Sequence, residues 1–286
     1  MADAAIRTEG LTKYYGAVVG VEELTLEVAR GEVFGFLGAN GAGKTTTIRL
    51  LLDLLRPSRG RASVLGIDCH RDSRRARLCI GYLPGELPIY RDLHAAAYLD
   101  YLTRLDSRPV APDYLRHLLR RFDVSDVDAR RPLREQSHGM KQKIGIIQAL
   151  MTRAPVVILD EPTAGLDPLM VQAFRDTIAE LRQQGDTTVF LSSHVLTEVE
   201  ATCDRIGVIR GGRIVTSGTI ADLKRNASRR VTVTFADGSP PLVTDVRGPM
   251  GPLLASLAGR PIQDVSVEPF RLEDYVARFY AEAERA

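Results

Sequence analysis

An α/β fold built around a phosphate-binding loop is the architecture this sequence predicts, and two segments predict it. Gly38–Thr45 reads GANGAGKT, which matches G-x-x-x-x-G-K-[ST] at every fixed position and lies between a strand-like apolar run and a segment with helical spacing. Val156–Leu159 is a continuous β-branched and aliphatic run after the breaker Pro155, and it ends in Asp160-Glu161. A buried strand of that kind delivers both carboxylates to the carboxyl edge of the sheet, where open α/β sheets bind ligands. A metal ligand beside a base, together with a phosphate cradle, points to nucleotide hydrolysis.

Residues 1–85 read as an alternation of strand and helix around the loop. Glu32–Leu37 has the pattern of a strand, and Lys44–Leu55 that of a helix with Ile48, Leu51, Leu52 and Leu55 on one side. In the loop, Gly38, Gly41 and Gly43 let the backbone turn its N–H groups inward, beside Asn40. Those amides and the positive helix N-terminus, where Thr46 lies, suit the β- and γ-phosphates of ATP. Lys44 adds a point charge, and the Thr45 hydroxyl can ligate Mg²⁺ with Asp160. Lysine occurs only at 13, 44, 141, 143 and 224, which argues against a chance match.

From about 86 to 150 the pattern is mostly helical, broken at Pro109, Pro112 and Pro132. Within it Gln136–Gln142, QSHGMKQ, opens the apolar helical run Ile144–Met151. Strand and helix alternate again from 155 to about 222. Thr188–Leu191 is an apolar strand entering LSSH, and Ile206–Arg210 and Arg213–Thr216 flank a Gly211-Gly212 hairpin turn. Past Leu223 the register changes. Arg225–Arg230 reads as a linker, Val231–Phe235 as a half-buried strand entering the turn Asp237-Gly238, and Arg271–Glu284 as a helix carrying Leu272, Tyr275, Val276 and Phe279. The expected division is therefore 1–222 and a small α+β appendage, 223–286.

Composition excludes several alternatives. The chain has 286 residues, 44% hydrophobic and 26% charged, with net charge +2, which is ordinary for a globular protein. Its basic residues are scattered among acids, so no nucleic-acid partner is expected, and Arg71–Arg77 reads as a solvated helix face. No apolar run approaches the roughly 18 to 20 residues that cross a bilayer, and no signal-peptide pattern opens the sequence. Three cysteines without C-x-x-C spacing suit reduced thiols used for packing.

In their order and spacing these segments resemble the nucleotide-binding subunit of ATP-binding cassette (ABC) transporters. The resemblance runs from about residue 6 to residue 220. GANGAGKT matches the family's Walker A, Val156–Glu161 its Walker B with the catalytic glutamate Glu161, Ala164–Asp167 its D-loop, and His194 its switch histidine. Ser137 and Gly139 fall on the signature loop, and Tyr15, in LTKYYG, on the aromatic that stacks on adenine. Taken alone, such a serine as Ser137 is more often a helix N-cap, a histidine like His194 more often a partly buried one, and a tyrosine like Tyr15 usually a core aromatic.

What the resemblance implies is an α/β P-loop NTPase cassette with a RecA-like core, a helical subdomain at about 86–150 and the C-terminal appendage. It also implies ATP and Mg²⁺ as cofactors. Glu161 and His194 would act catalytically, Thr45 and Asp160 would bind metal, and Ser137, Gly139 and Asp167 would meet nucleotide. A second copy or a paralogous cassette would complete each site. A polytopic membrane permease would be the partner, with the subunit peripheral on the cytoplasmic face of the membrane.

Two departures bear on mechanism. Ile80–Tyr90 resembles the family's Q-loop, yet Gly85 stands where glutamine is usual, so either Glu86 takes that role or the loop acts through its backbone. The signature carries Gln136, His138 and Met140 where the commonest form has leucine, glycine and glutamine. Such SHGM variants look like those of drug, antibiotic and lipid exporters, which favours export. The alternative is a regulatory clamp that binds ATP with little hydrolysis. A ribosomal cassette factor would carry two cassettes, and a chromosome-maintenance ATPase a long coiled coil; this sequence shows neither.

Overall fold

The computed structural model describes residues 4–268, apart from 88, 89, 91, 227, 228 and 247. The helix expected over Arg271–Glu284 lies outside the described residues. The chain divides into two compact units, Met1–Ser217 and Gly218–Ala286.

The first unit opens with two long antiparallel strands, β1 (Ala4–Tyr15) and β2 (Val18–Ala29), before any helix. This corrects the expected strand–helix alternation at the start of the chain. The reason lies in a period of two: Leu24, Leu26 and Val28 are buried while Thr25 and Glu27 between them are exposed, which only an extended chain achieves. β3 (Val33–Leu37) then leads through the glycine-rich loop into α1 (Lys44–Leu51). The helix stops at Leu51 rather than Leu55, because Asp53 turns left-handed at φ 53° and Pro57 follows.

Next come β4 (Arg59–Val64), β5 (Ile67–Asp68), α2 (Ser73–Leu78) and β6 (Ile80–Leu83). The predominantly helical stretch comprises α3 (Ala95–Leu105), α4 (Pro112–Arg121), α5 (Asp126–Arg130), a short 3₁₀ turn at Leu133–Glu135 and α6 (His138–Leu150). Pro112 opens α4, a position that needs no N–H donor. β7 (Val156–Asp160), α7 (Pro168–Gln184), β8 (Thr188–Ser193), α8 (Leu196–Thr202), β9 (Arg205–Arg210) and β10 (Arg213–Thr219) complete the series.

These strands form two sheets, one in the order β2-β1-β4-β5 and one in the order β10-β9-β3-β8-β7-β6. In the larger sheet β6, β7, β8, β3 and β9 run parallel, and their registers align Leu83 with Leu159, Asp160 with Ser192, and Leu37 with Ser193. Each parallel strand thus ends at the same edge. The glycine-rich loop, the acidic pair and the LSSH segment are brought together there, though they are far apart in sequence. Every residue of β3, β7 and β8 is buried, as expected of strands covered on both faces. Phe34, Phe36 and Phe190 pack in the core with ring centroids 5.8 and 5.3 Å apart, and each contributes about 1.5 to 3 kcal/mol by leaving water.

The second unit contains α9 (Ile220–Asn226), β11 (Arg229–Phe235), β12 (Leu242–Val246), α10 (Gly251–Ser256) and β13 (Ile262–Glu268). β11 lies between the other two strands and pairs antiparallel with both. Val231, Val233, Phe235 and Leu257 are its core. Of the stretch read as a linker, 225 and 226 end α9, 227 and 228 lie outside the described residues, and Arg229 and Arg230 begin β11: Arg230 pairs with Asp245 across the sheet at 3.4 Å, and Arg229 donates to the Gly248 carbonyl.

The three cysteines are free thiols. Cys69 and Cys203 are buried, and burial pushes both thiols well above the ordinary range, Cys69 to about 12. Cys79 is half-exposed at the end of α2.

Candidate nucleotide site

The loop after β3 has no room for a side chain at Gly38 or Gly43. Gly43 sits at φ 113°, and a Cβ there would lie 2.6 Å from the Gly20 carbonyl oxygen, so both conformation and space demand glycine. As the N-cap of α1 it offers no side-chain acceptor, which leaves the first-turn amides of that helix available to an anion. Lys44, only 6% exposed, turns back over the loop. Its Nζ donates to the carbonyls of Gly38 at 2.6 Å and Ala39 at 3.3 Å. Asn40 is exposed on the loop and Thr46 half-buried in α1.

Asp160 and Glu161 face this cradle from the end of β7. Asp160 is 1% exposed; its Oδ2 accepts from Thr45 Oγ1 at 2.9 Å and its Oδ1 from Ser192 Oγ at 2.5 Å. The partly buried Tyr82 hydroxyl nearby is pushed up to about 12, by burial first and then by Asp160. Glu161 adopts φ 52°, a left-handed conformation that side chains rarely take and that marks strain at functional positions. Its Oε1, buried without a hydrogen-bond partner among the described residues, meets Lys44 Nζ as an ion pair at 3.1 Å. Its Oε2 lies 2.7 Å from His194 Nδ1. An ionised carboxylate only accepts, so Nδ1 carries the proton of that bond.

Thr45 Oγ1 and Asp160 Oδ2 are hard oxygen donors in contact. Mg²⁺ takes one or two protein oxygens and completes its shell with phosphate and water, so this pair fits it. The carbon that a side chain would add at Gly85 lies 3.3 Å from Asp160 Oδ2, whereas Glu86 is exposed. Position 85 therefore faces the acidic pair.

Tyr15, at the end of β1, is 43% exposed with Lys13 Nζ 5.5 Å from its ring centre. It reaches the loop through one intermediary: a Cβ on Gly20 would lie 2.7 Å from the ring, and Gly20 backs onto Gly43. Ser137, Gly139 and Asp167 are grouped elsewhere. Ser137 caps α6 by accepting from Met140 N at 3.1 Å, and Asp167 caps α7 by accepting from Met170 N at 3.0 Å. Gly139 lies against the Gly165 carbonyl, where a Cβ would come within 2.8 Å. The segments carrying Ser137 and Asp167 in one chain are thus brought against each other at Gly139 and Gly165.

Two residues escape the sequence reading. Ser192 ties the acidic pair to β8, bonding Asp160 and also accepting from Glu161 N at 3.1 Å. Gln142, buried in α6, donates to the carbonyls of Glu161 and Pro162, both at 3.0 Å. The only sequence signal for Gln142 is a polar residue opening an apolar helical run; Ser192 lies inside LSSH with no signal of its own.

A phosphate loop and an acidic pair at the carboxyl edge of a parallel sheet define a P-loop nucleoside-triphosphatase. Comparison with known proteins narrows the class. Residues 21–164 match the family described as "ABC transporter". The daunorubicin resistance ATP-binding protein of Streptomyces coeruleorubidus is 36% identical over 274 residues, 95% of this chain and 82% of that protein. A bacitracin transport ATP-binding protein of Bacillus licheniformis is 31% identical over 83% of this chain and 77% of its own length. Among solved structures, the ATP-binding subunit of an ABC transporter superposes with a TM-score of 0.70 at 30% identity, covering 77% of this chain and 92% of that one. A dimeric bacterial ABC cassette shares the fold with a TM-score of 0.69 at 19% identity, covering 75% and 98%. The chain belongs to the ABC transporter family as an ATP-binding subunit that hydrolyses ATP.

Proposed function

We propose that this subunit powers export through a separate polytopic permease, from the cytoplasmic face of the membrane and as a pair of cassettes. Its similarity along nearly its whole length to a daunorubicin resistance protein supports export of drug-like compounds. A bacitracin transport relative points the same way. No described helix is long and apolar enough to cross a membrane, so passage would belong to the permease.

The observation that carries the mechanism is the junction of Lys44, Glu161 and His194 beside Thr45 and Asp160. Lys44 and the loop amides hold the β- and γ-phosphates of ATP. Thr45 and Asp160 would hold Mg²⁺, which when bound neutralises phosphate charge. Glu161 orients the attacking water and takes its proton. His194, with Nδ1 committed to Glu161, presents Nε2 to the γ-phosphate and fixes the carboxylate. Ser137 and Gly139 act on the nucleotide of the second cassette, Asp167 lies at that interface, and Tyr15 carries the adenine. The C-terminal residues form an accessory domain that stabilises the pair or regulates it.

A steady-state ATPase assay of the purified chain, alone and with its co-purifying permease, tests this reading. Hydrolysis that depends on Mg²⁺ and rises with the permease is expected. Binding of ATP with no turnover in either preparation would favour the clamp.

A further inference from the structure

We infer that Gln142 is a positioning residue for hydrolysis, holding the backbone that aims the Glu161 carboxylate. The inference rests on the reading of Glu161 as the base.

Gln142 is 5% exposed in α6, and its amide group has two hydrogens to place. Nε2 donates to the Glu161 carbonyl and to the Pro162 carbonyl, each at 3.0 Å. A hydrocarbon of the same length would fill the space and leave Pro162 O without this donor; Glu161 O would keep only the bond from Ala164 N at 3.2 Å.

The geometry shows why this matters to the carboxylate. The direction of Cβ follows from the two peptide planes that meet at a residue. At Glu161 the preceding plane is pinned through its N–H, which donates to Ser192 O at 3.2 Å and Ser192 Oγ at 3.1 Å. The following plane is pinned through its carbonyl by Gln142. Together these bonds hold a left-handed backbone that glutamate does not otherwise favour. They place Oε1 at 3.1 Å from Lys44 and Oε2 at 2.7 Å from His194. With Gln142 removed, the following plane keeps only the bond from Ala164 N, and the carboxylate is aimed less firmly. A displacement of about 1 Å costs on the order of 10²-fold in rate.

The test uses the full chain with Gln142→Met, which keeps length and loses both donors, and Gln142→Glu, which keeps shape but presents an acceptor. If Gln142→Met fails to fold, Gln142→Glu carries the test. Turnover should fall about 10- to 100-fold while ATP affinity stays at the parental value. The decisive readout is the double variant with Glu161→Gln. Once the base is gone its aim no longer matters, so Gln142→Met should slow Glu161→Gln by no more than about twofold. A merely structural amide would lower turnover by the same factor in both backgrounds, or lower ATP affinity along with turnover, and either result overturns the inference. Unchanged turnover in both single variants overturns it as well. If Glu161→Gln alone turns over at the parental rate, the base assignment itself fails, which separates that failure from one at Gln142.

Discussion

Two helix N-termini in this protein are expected to meet phosphate, and they are built in opposite ways. α1 begins after Gly43, which has no side chain to cap it, and Lys44 and Thr45 stand in its first turn. α6 begins after Ser137, whose Oγ already accepts from Met140 N. The first is an anion site as it stands, with the acidic pair in contact. The second is internally satisfied, and its neighbour is Gly165 of its own D-loop segment. On the proposed reading, one chain would hold a nearly finished catalytic half and a complementary half for a second cassette. Ser137 has a structural task regardless of nucleotide, because an N-cap serine contributes about 1 kcal/mol.

This contrast can be broken at several points. The largest effect is expected from Lys44→Ala, which removes the cation from the α1 site and strands Glu161 Oε1. ATP affinity should collapse, and turnover should fall by about 10³-fold. Parental ATPase activity in that variant would mean that the α1 terminus is not the site. Glu161→Gln keeps the phosphate contacts and loses the proton acceptor, so turnover should drop by roughly 10²- to 10⁴-fold with ATP still bound. An ATP-dependent dimer should then persist in size-exclusion chromatography.

Ser137→Ala sharpens the comparison from the other side. ATP binding to the isolated chain should be unchanged, and the melting temperature should fall by about 2 to 4 °C for the lost cap. Turnover of the paired form should fall too. If only stability changes, the serine is a cap and nothing more. Gly85→Gln brings an amide beside Asp160 and should raise basal turnover severalfold, whereas Glu86→Ala, on an exposed side chain, should leave it alone. No response from either assigns the loop to backbone motion. The smallest effect is predicted for truncation near Asn226: ATP affinity should stay at the parental value in a fluorescence titration, since Lys44, Thr45, Asp160, Glu161 and His194 all precede it.

The candidate phosphate loop and acidic pair were legible because their chemistry is local. GANGAGKT needs glycine where the backbone turns and lysine where charge is required, and both demands fall within eight adjacent positions. Asp160-Glu161 was legible from the apolar run before it. Ser192 and Gln142 were not, since their roles arise only when β8 and α6 come alongside β7. The opening strands were misjudged for a different reason. The loop suggested a βαβ rhythm for everything around it, while the period of two in Leu24–Val28 pointed to a separate antiparallel sheet. At Arg229 and Arg230, charge suggested a linker where a strand begins, because arginine serves well on an exposed strand face.

The burial of two cysteines gives the molecule a ready optical handle. Thiolates are the reactive species, and burial keeps Cys69 and Cys203 protonated at neutral pH, inside a packed core. Cys79 alone is accessible, where α2 gives way to β6. A maleimide dye should therefore attach at a ratio of one per folded chain and three per unfolded chain, with no engineering of the sequence. Attached there, it sits at the foot of the strand that runs up to Gly85, and changes in its emission during turnover would time the movement of that strand.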